Sequence, residues 1–510
     1  MTTTATPPRR PGTVVVGRDG FPQLLRAEWT KLRTVRRWGL TLLAAVVVTV
    51  LISLFSASSS GLQVEGGGGS SAADRPARHV RDDFTFVHRT LPADGSVTAR
   101  VTGPTGAGPD RAPEWAKAGV LVKENTESGS DYAALMVTPG HGVRFQSDFT
   151  RDVAGGDAST DTPHWLRLTR AGATVTAYAS DDGRDWRKIG TAGIGTATGA
   201  VPVGLFVASP NVQSMKRQFG NVSIDDRPSR STARFDEVTV KGAKSGADWK
   251  RTDIGQGGGG QGKGEQGELV RTGGTFTLTG SGDIAPGAPV QPDLVATALN
   301  GSQLGLVLIA ALGVLFITAE YRRGMIRTTF VASPRRGRVL VAKAVVIGAV
   351  AFAAGLVASL ASYLLSMPVL RANGHEPPRF PDFSLTDGPV LRAVFGTAAL
   401  LALIAVLALA LGALLRNTAA AITTVVVVIV LPLILVSMLP LGLSQWLQRL
   451  TPVAGFAIQE TTPRHDQVAS LCLPEDGCYP QGAWTGFATL AAYAVVTLGV
   501  AVWRVRKRDA

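Results

Sequence analysis

The sequence predicts an α-helical membrane bundle of six transmembrane helices with an all-β antiparallel sandwich inserted between helices one and two. Three observations predict it. Six apolar runs are long enough to cross a bilayer, a mostly polar interval at 59–299 separates the first run from the second, and that interval carries short alternating segments set apart by Gly, Pro, Asp and Ser. The runs fall at 38–58, 303–319, 341–366, 393–415, 418–439 and 484–503. Each is near the roughly 20 residues that span about 30 Å of hydrocarbon.

The N-terminal segment 1–37 precedes the first run. In it Phe21, Leu24, Leu25, Trp29, Leu32 and Val35 recur at helical spacing, with Arg26, Lys31, Arg33, Arg36 and Arg37 at the complementary positions. That pattern suits a basic amphipathic elbow helix lying along the inner membrane surface; a plain cytoplasmic extension of the first span accounts for the same residues. Trp29 and Trp38 suit interface anchors. The run at 38–58 reads as an uncleaved span, because it exceeds the 7–15 apolar residues of a signal peptide and follows too long a charged region.

Within the insert, Leu166 and Leu168 share one face, Arg170-Ala171-Gly172 makes a turn, and Val175, Ala177 and Ala179 alternate with Thr174, Thr176 and Tyr178. These residues predict a hairpin. Segments 119–124, 131–138, 142–147, 202–209 and 233–240 read likewise as alternating strands, which together indicate an antiparallel sandwich. A further strand at 274–279 is expected to return beside the first strands near 83–88, since both ends of the insert join membrane helices. Ser180-Asp181-Asp182-Gly183 reads as turn chemistry. The Gly-rich stretch from Gly257 to Gly264 approaches a phosphate-binding loop, but Gly264 replaces the hydroxyl residue that would hold magnesium, so it reads as a flexible linker.

The C-terminal part, 300–508, contains the remaining five runs. None carries an ionisable residue near its middle, Lys343 and Arg392 lying at ends, so the chain has no visible relay for an ion gradient. Ala344 with Gly348, and Ala351, Gly355 and Ser359, recur at four-residue spacing and suit close helix packing in the bundle or in a dimer. Between the second and third runs lies a short basic loop, 320–338, with Ser333 a suitable N-cap and Pro334 a suitable first helical residue for the next span. Cys472 and Cys478, the only cysteines, fall in the loop between the fifth and sixth runs and are a candidate disulfide.

Charge fixes an expected orientation. Lys and Arg crowd the N-terminus, the 320–338 loop, Arg416 and the residues after the sixth run, and these become the cytoplasmic faces. Both termini are then cytoplasmic in a multi-pass cell-membrane protein, and the large insert is extracellular. Residues 59–299 carry 26 Lys and Arg against 27 Asp and Glu, so the net charge of +13 belongs to the membrane margins. No nucleic-acid partner is expected, because a binding surface would need that excess on a folded domain. No HExxH or GxSxG motif occurs and the six histidines are scattered, which supports neither an enzyme nor a metal site.

The segments AEWTKLRTVRRW before the first run and TAEYRRGMIRTTFVASPRRGRVLVAKAVV around the second and third resemble permease subunits of the type-2 ABC exporter class, particularly those of actinobacteria. The resemblance implies a six-span half-transporter, dimeric with itself or a second permease, moving an unidentified substrate with ATP hydrolysed by a separate ABC subunit. This chain would hold no cofactor of its own. The ATPase-coupling contacts would be Glu320, Tyr321, Arg322, Arg323, Arg327, Pro334, Arg335 and Arg336. The stretches EWAKAGVLVKE, DYAALMVTPGHGVRF, HWLRLTRAGATVTAYASDDGRDW and VGLFVAS are similar to concanavalin-like and laminin-G-like sandwiches, which implies a cell-wall glycan as partner. Trp115, Tyr132, Trp165, Tyr178 and Trp186 are the candidate sugar-binding aromatics, core packing being the alternative. A membrane-anchored sensor or wall-binding protein without transport activity is the competing reading of the whole chain.

Overall fold

The computed structural model describes residues 20–60, 80–92, 94–195, 199–218, 221–243, 248–255, 267–286, 293–322, 324–325, 335–375, 380–462, 465, 467–468 and 477–507. Among the described residues two helices lead, α1 (Phe21–Thr34) and α2 (Arg36–Ser59), followed by seventeen strands from β1 (Val80–Leu91) to β17 (Asp283–Pro286). After them come α3 (Leu294–Ala298), α4 (Ser302–Arg322), α5 (Arg336–Ala372), α6 (Gly388–Leu415), α7 (Thr418–Val436), α8 (Leu441–Leu450), a 3-10 turn at Pro452–Gln459 and α9 (Ala483–Lys507).

Six of these helices, α2, α4, α5, α6, α7 and α9, are long and apolar enough to cross a membrane. They make the chain a membrane protein. Five of the six expected runs are helical throughout and most extend beyond their apolar bounds; the fifth, expected to 439, ends as a helix at Val436. The 37 residues of α5 reach about 55 Å at 1.5 Å per residue, well past the hydrocarbon. In α4 and α6, 61% of the apolar window is buried within the bundle, against 22% in α2 and α9. The first pair is therefore central, while α2 and α9 turn Leu40, Leu43, Phe55, Val495 and Trp503 outward.

Small residues set the crossings. A Cβ at Gly305 would lie 2.0 Å from Thr49 Oγ1, so α4 meets α2 without room for a side chain. The stripe through Gly355 and Ser359 packs against α6 of the same chain: a Cβ at Gly355 would sit 3.1 Å from the Ala398 Cα, and Ser359 Oγ donates to Val394 O at 3.1 Å. In α7 the backbone opens to a π turn at Val426–Val430, with Leu431 N–H bonded five residues back to Val426 O just before Pro432. A proline that cannot donate is accommodated by that wider turn.

Fifteen of the strands form two antiparallel sheets, and β11 (Val212–Gln218) pairs with β12 (Asn221–Arg227) in a separate two-stranded one. With β2 at Gly95–Gly106, β5 at Gly142–Ser147, β6 at Arg151–Gly156, β9 at Arg187–Gly193 and β10 at Val201–Ala208, one large sheet has the order β14-β1-β10-β3-β4-β5-β6 with β17 also on β1; the other runs β15-β16-β13-β2-β7-β8-β9. Val87, Val120, Leu135 and Leu205 of the first sheet meet Val97, Leu166, Val175 and Phe235 of the second in one core. The expected hairpin is β7 (His164–Ala171) with β8 (Thr174–Ser180), its turn one residue later than read, at Gly172 with φ +60°.

Two expectations are corrected. First, β3 (Lys117–Lys123) and β4 (Tyr132–Thr138) do not alternate; every residue in both is buried. The reason is a second apolar layer, with Phe84, Phe86, Tyr132, Met136 and Phe206, on the other face of the same sheet. A strand covered on both faces reads as a continuous apolar run. Second, the strand expected at 274–279 is β16 (Thr275–Gly280), and it pairs with β13 (Ser231–Lys241) and β15 (Glu268–Thr272) rather than with β1. The strands that return to β1 are β14 (Lys250–Ile254) and β17.

Pairing of Val80 with Pro286 places the entry and exit of the sandwich side by side. Two buried ion pairs secure that seam. Lys117 Nζ donates to Asp283 Oδ1 at 2.6 Å and Lys123 Nζ to Asp82 Oδ2 at 2.7 Å, with both lysine side chains fully buried. The interval between the fifth and sixth runs, read only as a loop, contains α8 and the 3-10 turn. The short α3, inside the insert by sequence, packs with α5 and α6 through Leu294, Val295, Tyr363, Leu370 and Val390.

Candidate functional site

At one end of the bundle four charged side chains converge where α1, α4 and α5 meet. Lys343, fully buried on α5, donates to Glu28 Oε2 of α1 at 2.6 Å and to Glu320 Oε1 of α4 at 2.7 Å. Lys31 donates to Glu28 Oε1 at 2.8 Å and to Glu320 Oε1 at 3.2 Å, closing the ring of charges. Phe316 lies under the Lys343 ammonium, 5.0 Å from its ring centre. Burial pulls the Lys31 ammonium down, but the hydrogen bond and charge of Glu28, together with Glu320, outweigh it and hold the group above its ordinary value. Two lysines against two carboxylates leave the knot neutral, the condition under which such a group persists away from water.

The knot fixes α1. Glu28 and Leu32 are the buried residues of this amphipathic helix, and Glu28 occupies the apolar stripe between Leu25 and Leu32. A carboxylate there is tolerated because Lys343 and Lys31 meet it, one at each oxygen. The junction of α4 with the loop that follows is held twice, by Glu320 in the knot and by Tyr321, whose ring lies 5.4 Å from the Arg416 guanidinium at the α6–α7 turn. Arg416 itself takes a left-handed conformation, φ +55°, that ends α6. Arg322 and Arg335 are exposed at the two sides of the loop, and Arg336 is half-buried at the start of α5. Arg323, Arg327, Ser333 and Pro334 lie outside the described residues; within them α5 begins at Arg336, with Arg335 at its N-cap.

The opposite end of the bundle carries the sandwich. There Asp293 caps α3, accepting from the Val295 and Ala296 amides at 3.0 Å each. It also accepts from the backbone and hydroxyl groups of Thr461 and Thr462, between 2.6 and 3.1 Å. Arg392 donates to the Glu460 carbonyl. Cys478, beside this clamp, is disulfide-bonded; Cys472 lies outside the described residues.

The five aromatics of the sandwich divide into two places. Tyr132 is fully buried in the second apolar layer, edge-on to Phe149 at 4.9 Å, and its hydroxyl has no partner among the described residues. Trp115 is 8% exposed and stacks on His141 at 3.8 Å. The other three gather half-buried on the outer face of the seven-stranded sheet around Arg167. The Arg167 guanidinium lies 3.6 Å from the Trp186 ring centre, Tyr178 is its cross-strand neighbour, and Trp165 faces Arg100 at 6.0 Å. Below them Ser180–Gly183 is a turn. Asp182 accepts from the amides of Arg184 and Asp185 and from Ser180 Oγ, which hold its carboxyl down to about 2.

Sequence reasoning singled out Glu320 but not its partners Glu28, Lys31 and Lys343 as a set. The signal was present as charges placed inside apolar periodicity, one at the stripe position of α1 and one within the run VLVAKAVV. Asp293 was also missed, although an Asp directly before an apolar stretch is an N-cap signal.

No protein-family model and no curated protein matches the chain. Among solved structures it is similar to a functionally unknown protein from Saccharomyces cerevisiae, 18% identical over 33% of this chain and 74% of that one, with a TM-score of 0.20. It is also similar to carbohydrate-binding module CBM66 from Bacillus subtilis, 14% identical over 30% and 77%, with a TM-score of 0.20. A third is Scytalido-glutamic peptidase, 10% identical over 39% and 98%, with a TM-score of 0.25. Likeness at these scores carries no argument about fold or function.

Proposed function

We propose that this chain is the permease subunit of a type-2 ABC-class exporter, driven by a separate ATP-hydrolysing subunit at the basic end of the bundle, with the sandwich outside the cell. The observation that carries the reading is the Glu28–Lys31–Glu320–Lys343 knot. It joins the two sequence segments that resemble that class, and it ties the surface helix α1 to the helices on both sides of the basic loop. A push on that loop would then move α1, α4 and α5 as one body, which is what transmission from a soluble motor requires. Among the described residues the bundle interior offers no charged relay in mid-span, and in this reading fuel comes from a partner.

The test is affinity purification of the chain from its native membrane. A nucleotide-hydrolysing subunit should accompany it and be lost when Arg322 and Arg323 are both changed to Glu; a complex that survives those changes refutes the docking site. A second reading, a wall-binding or sensing protein anchored by its bundle, is favoured by the Trp165, Tyr178, Trp186 and Arg167 platform, since aromatic faces beside polar groups suit sugar rings. Retention on purified cell wall that disappears in Trp186→Ala, with no ATPase recovered, would select it.

A further inference from the structure

We propose that the sandwich end of the bundle binds an uncharged, hydroxyl-bearing headgroup. Two adjoining cavities of about 220 and 230 Å³ share Asn300, Gln303 and Tyr479 in their walls. Every polar side chain described in those walls is a hydroxyl or a carboxamide, and burial, aided by the Asp293 and Glu460 carboxylates behind the wall, pushes the Tyr479 phenol well above its ordinary value, so it too is neutral. A charged ligand would be stripped of water there without a counter-ion, whereas a polyol would exchange water for matched donors and acceptors.

Gln448 supplies an independent observation. It lines the first cavity, is 3% exposed, and its Oε1 accepts no hydrogen bond among the described residues. Leaving a buried amide oxygen unpaired is costly, and a native structure rarely keeps one without use. A ligand hydroxyl donating to Gln448 Oε1 completes it. Leu433 and Val436 of α7 form the apolar part of the same wall, so the ligand is an amphiphile with its tail toward α7. Each cavity is below the roughly 300 Å³ at which ligand pockets usually begin, which fits one sugar ring or a glycerol-sized head rather than a polymer. The site involves none of the residues at the basic end, and it stands or falls apart from the ATPase reading.

The full chain in phosphatidylcholine nanodiscs is titrated with radiolabelled n-octyl β-D-glucoside and, separately, n-octyl sulfate, both below their micellar concentrations. The glucoside should bind saturably at one per chain and the sulfate should not. Gln448→Leu and Gln303→Leu should each weaken glucoside binding about tenfold, near the worth of one hydrogen bond to a buried amide. Without probe, Gln448→Leu should melt no lower than the wild type, because it removes an unpaired acceptor. Equal binding of the sulfate, unchanged affinity in both variants, or a lower melting temperature with binding retained would overturn the proposal. Lipid extraction identifies the source: an uncharged glycolipid co-purifying with the wild type but not with Gln448→Leu is a resident lipid, and a site that purifies empty and fills with glucoside takes its ligand from solution.

Discussion

Changing Lys343 to Met isolates the energetics of the buried knot. The ammonium is fully buried and makes two short charge-assisted bonds, 2.6 Å to Glu28 and 2.7 Å to Glu320. Without it the two carboxylates remain buried side by side, with only the partly exposed Lys31 to serve both. Removing one partner of a buried pair costs about 3–5 kcal/mol, mostly the penalty of the charge left behind. The double variant Lys343→Met with Glu320→Gln keeps one acid and one base, Glu28 and Lys31, so it should recover roughly 2 kcal/mol of that loss. Denaturant unfolding of the full chain in mixed micelles measures each corner of the cycle. Amide exchange across Phe21–Thr34 should also quicken in the single variant, because α1 loses its anchor. Additive effects within about 0.5 kcal/mol, the limit for uncoupled sites, would refute the idea that these residues act as a unit.

Other consequences follow from the sandwich and its junction. Asp83 lies beside Asp283 at the seam; burial, aided by that neighbouring charge, pushes its carboxyl up to about 6 from 3.8. The folded state then holds the proton more tightly than the unfolded one, so this group's contribution to stability falls as pH rises from about 4 to 6 and is level above. Asp83→Asn should stabilise the protein at pH 7.5, by on the order of 2–3 kcal/mol, and leave it unchanged at pH 3.5 in thermal melts. Asp293→Ala removes the acceptor for two helix amides and for Thr461 and Thr462; a loss of about 2 kcal/mol or more is expected, read as faster proteolysis near 461–468. Gly183→Ala places a Cβ 2.7 Å from Trp165 at a φ of +76°, so it should shift tryptophan emission and cost about 1–2 kcal/mol.

The membrane helices and the outer sheet were legible for the same reason: each has one simple environment. Leu166 and Leu168 face the core while Trp165 and Arg167 face out, and period two follows directly. The strands β3 and β4 hid their surroundings because both faces are covered, so Tyr132 could not be separated from Tyr178 by pattern alone. The partner of β16 was not legible, since pairing across a sheet is decided by register with distant strands such as β13 rather than by anything within 275–280. Lys117 and Lys123 sit at the ends of an apolar strand, where solvent exposure is the ordinary expectation; only the fold brings Asp283 and Asp82 to them. The knot was half legible. Glu28 and Lys343 are out of place in their apolar surroundings, and nothing local says that they answer each other across 315 positions.

The sidedness of the chain decides the account most directly. Single cysteines are placed at Asp181, whose side chain is 99% exposed on the sandwich, and at Met325, 44% exposed beside the basic loop. An impermeant maleimide applied to intact cells should label position 181 at once and position 325 only after the membrane is opened. Labelling of 325 with protection of 181 would place the basic end outside, and the proposed exporter would have to be abandoned.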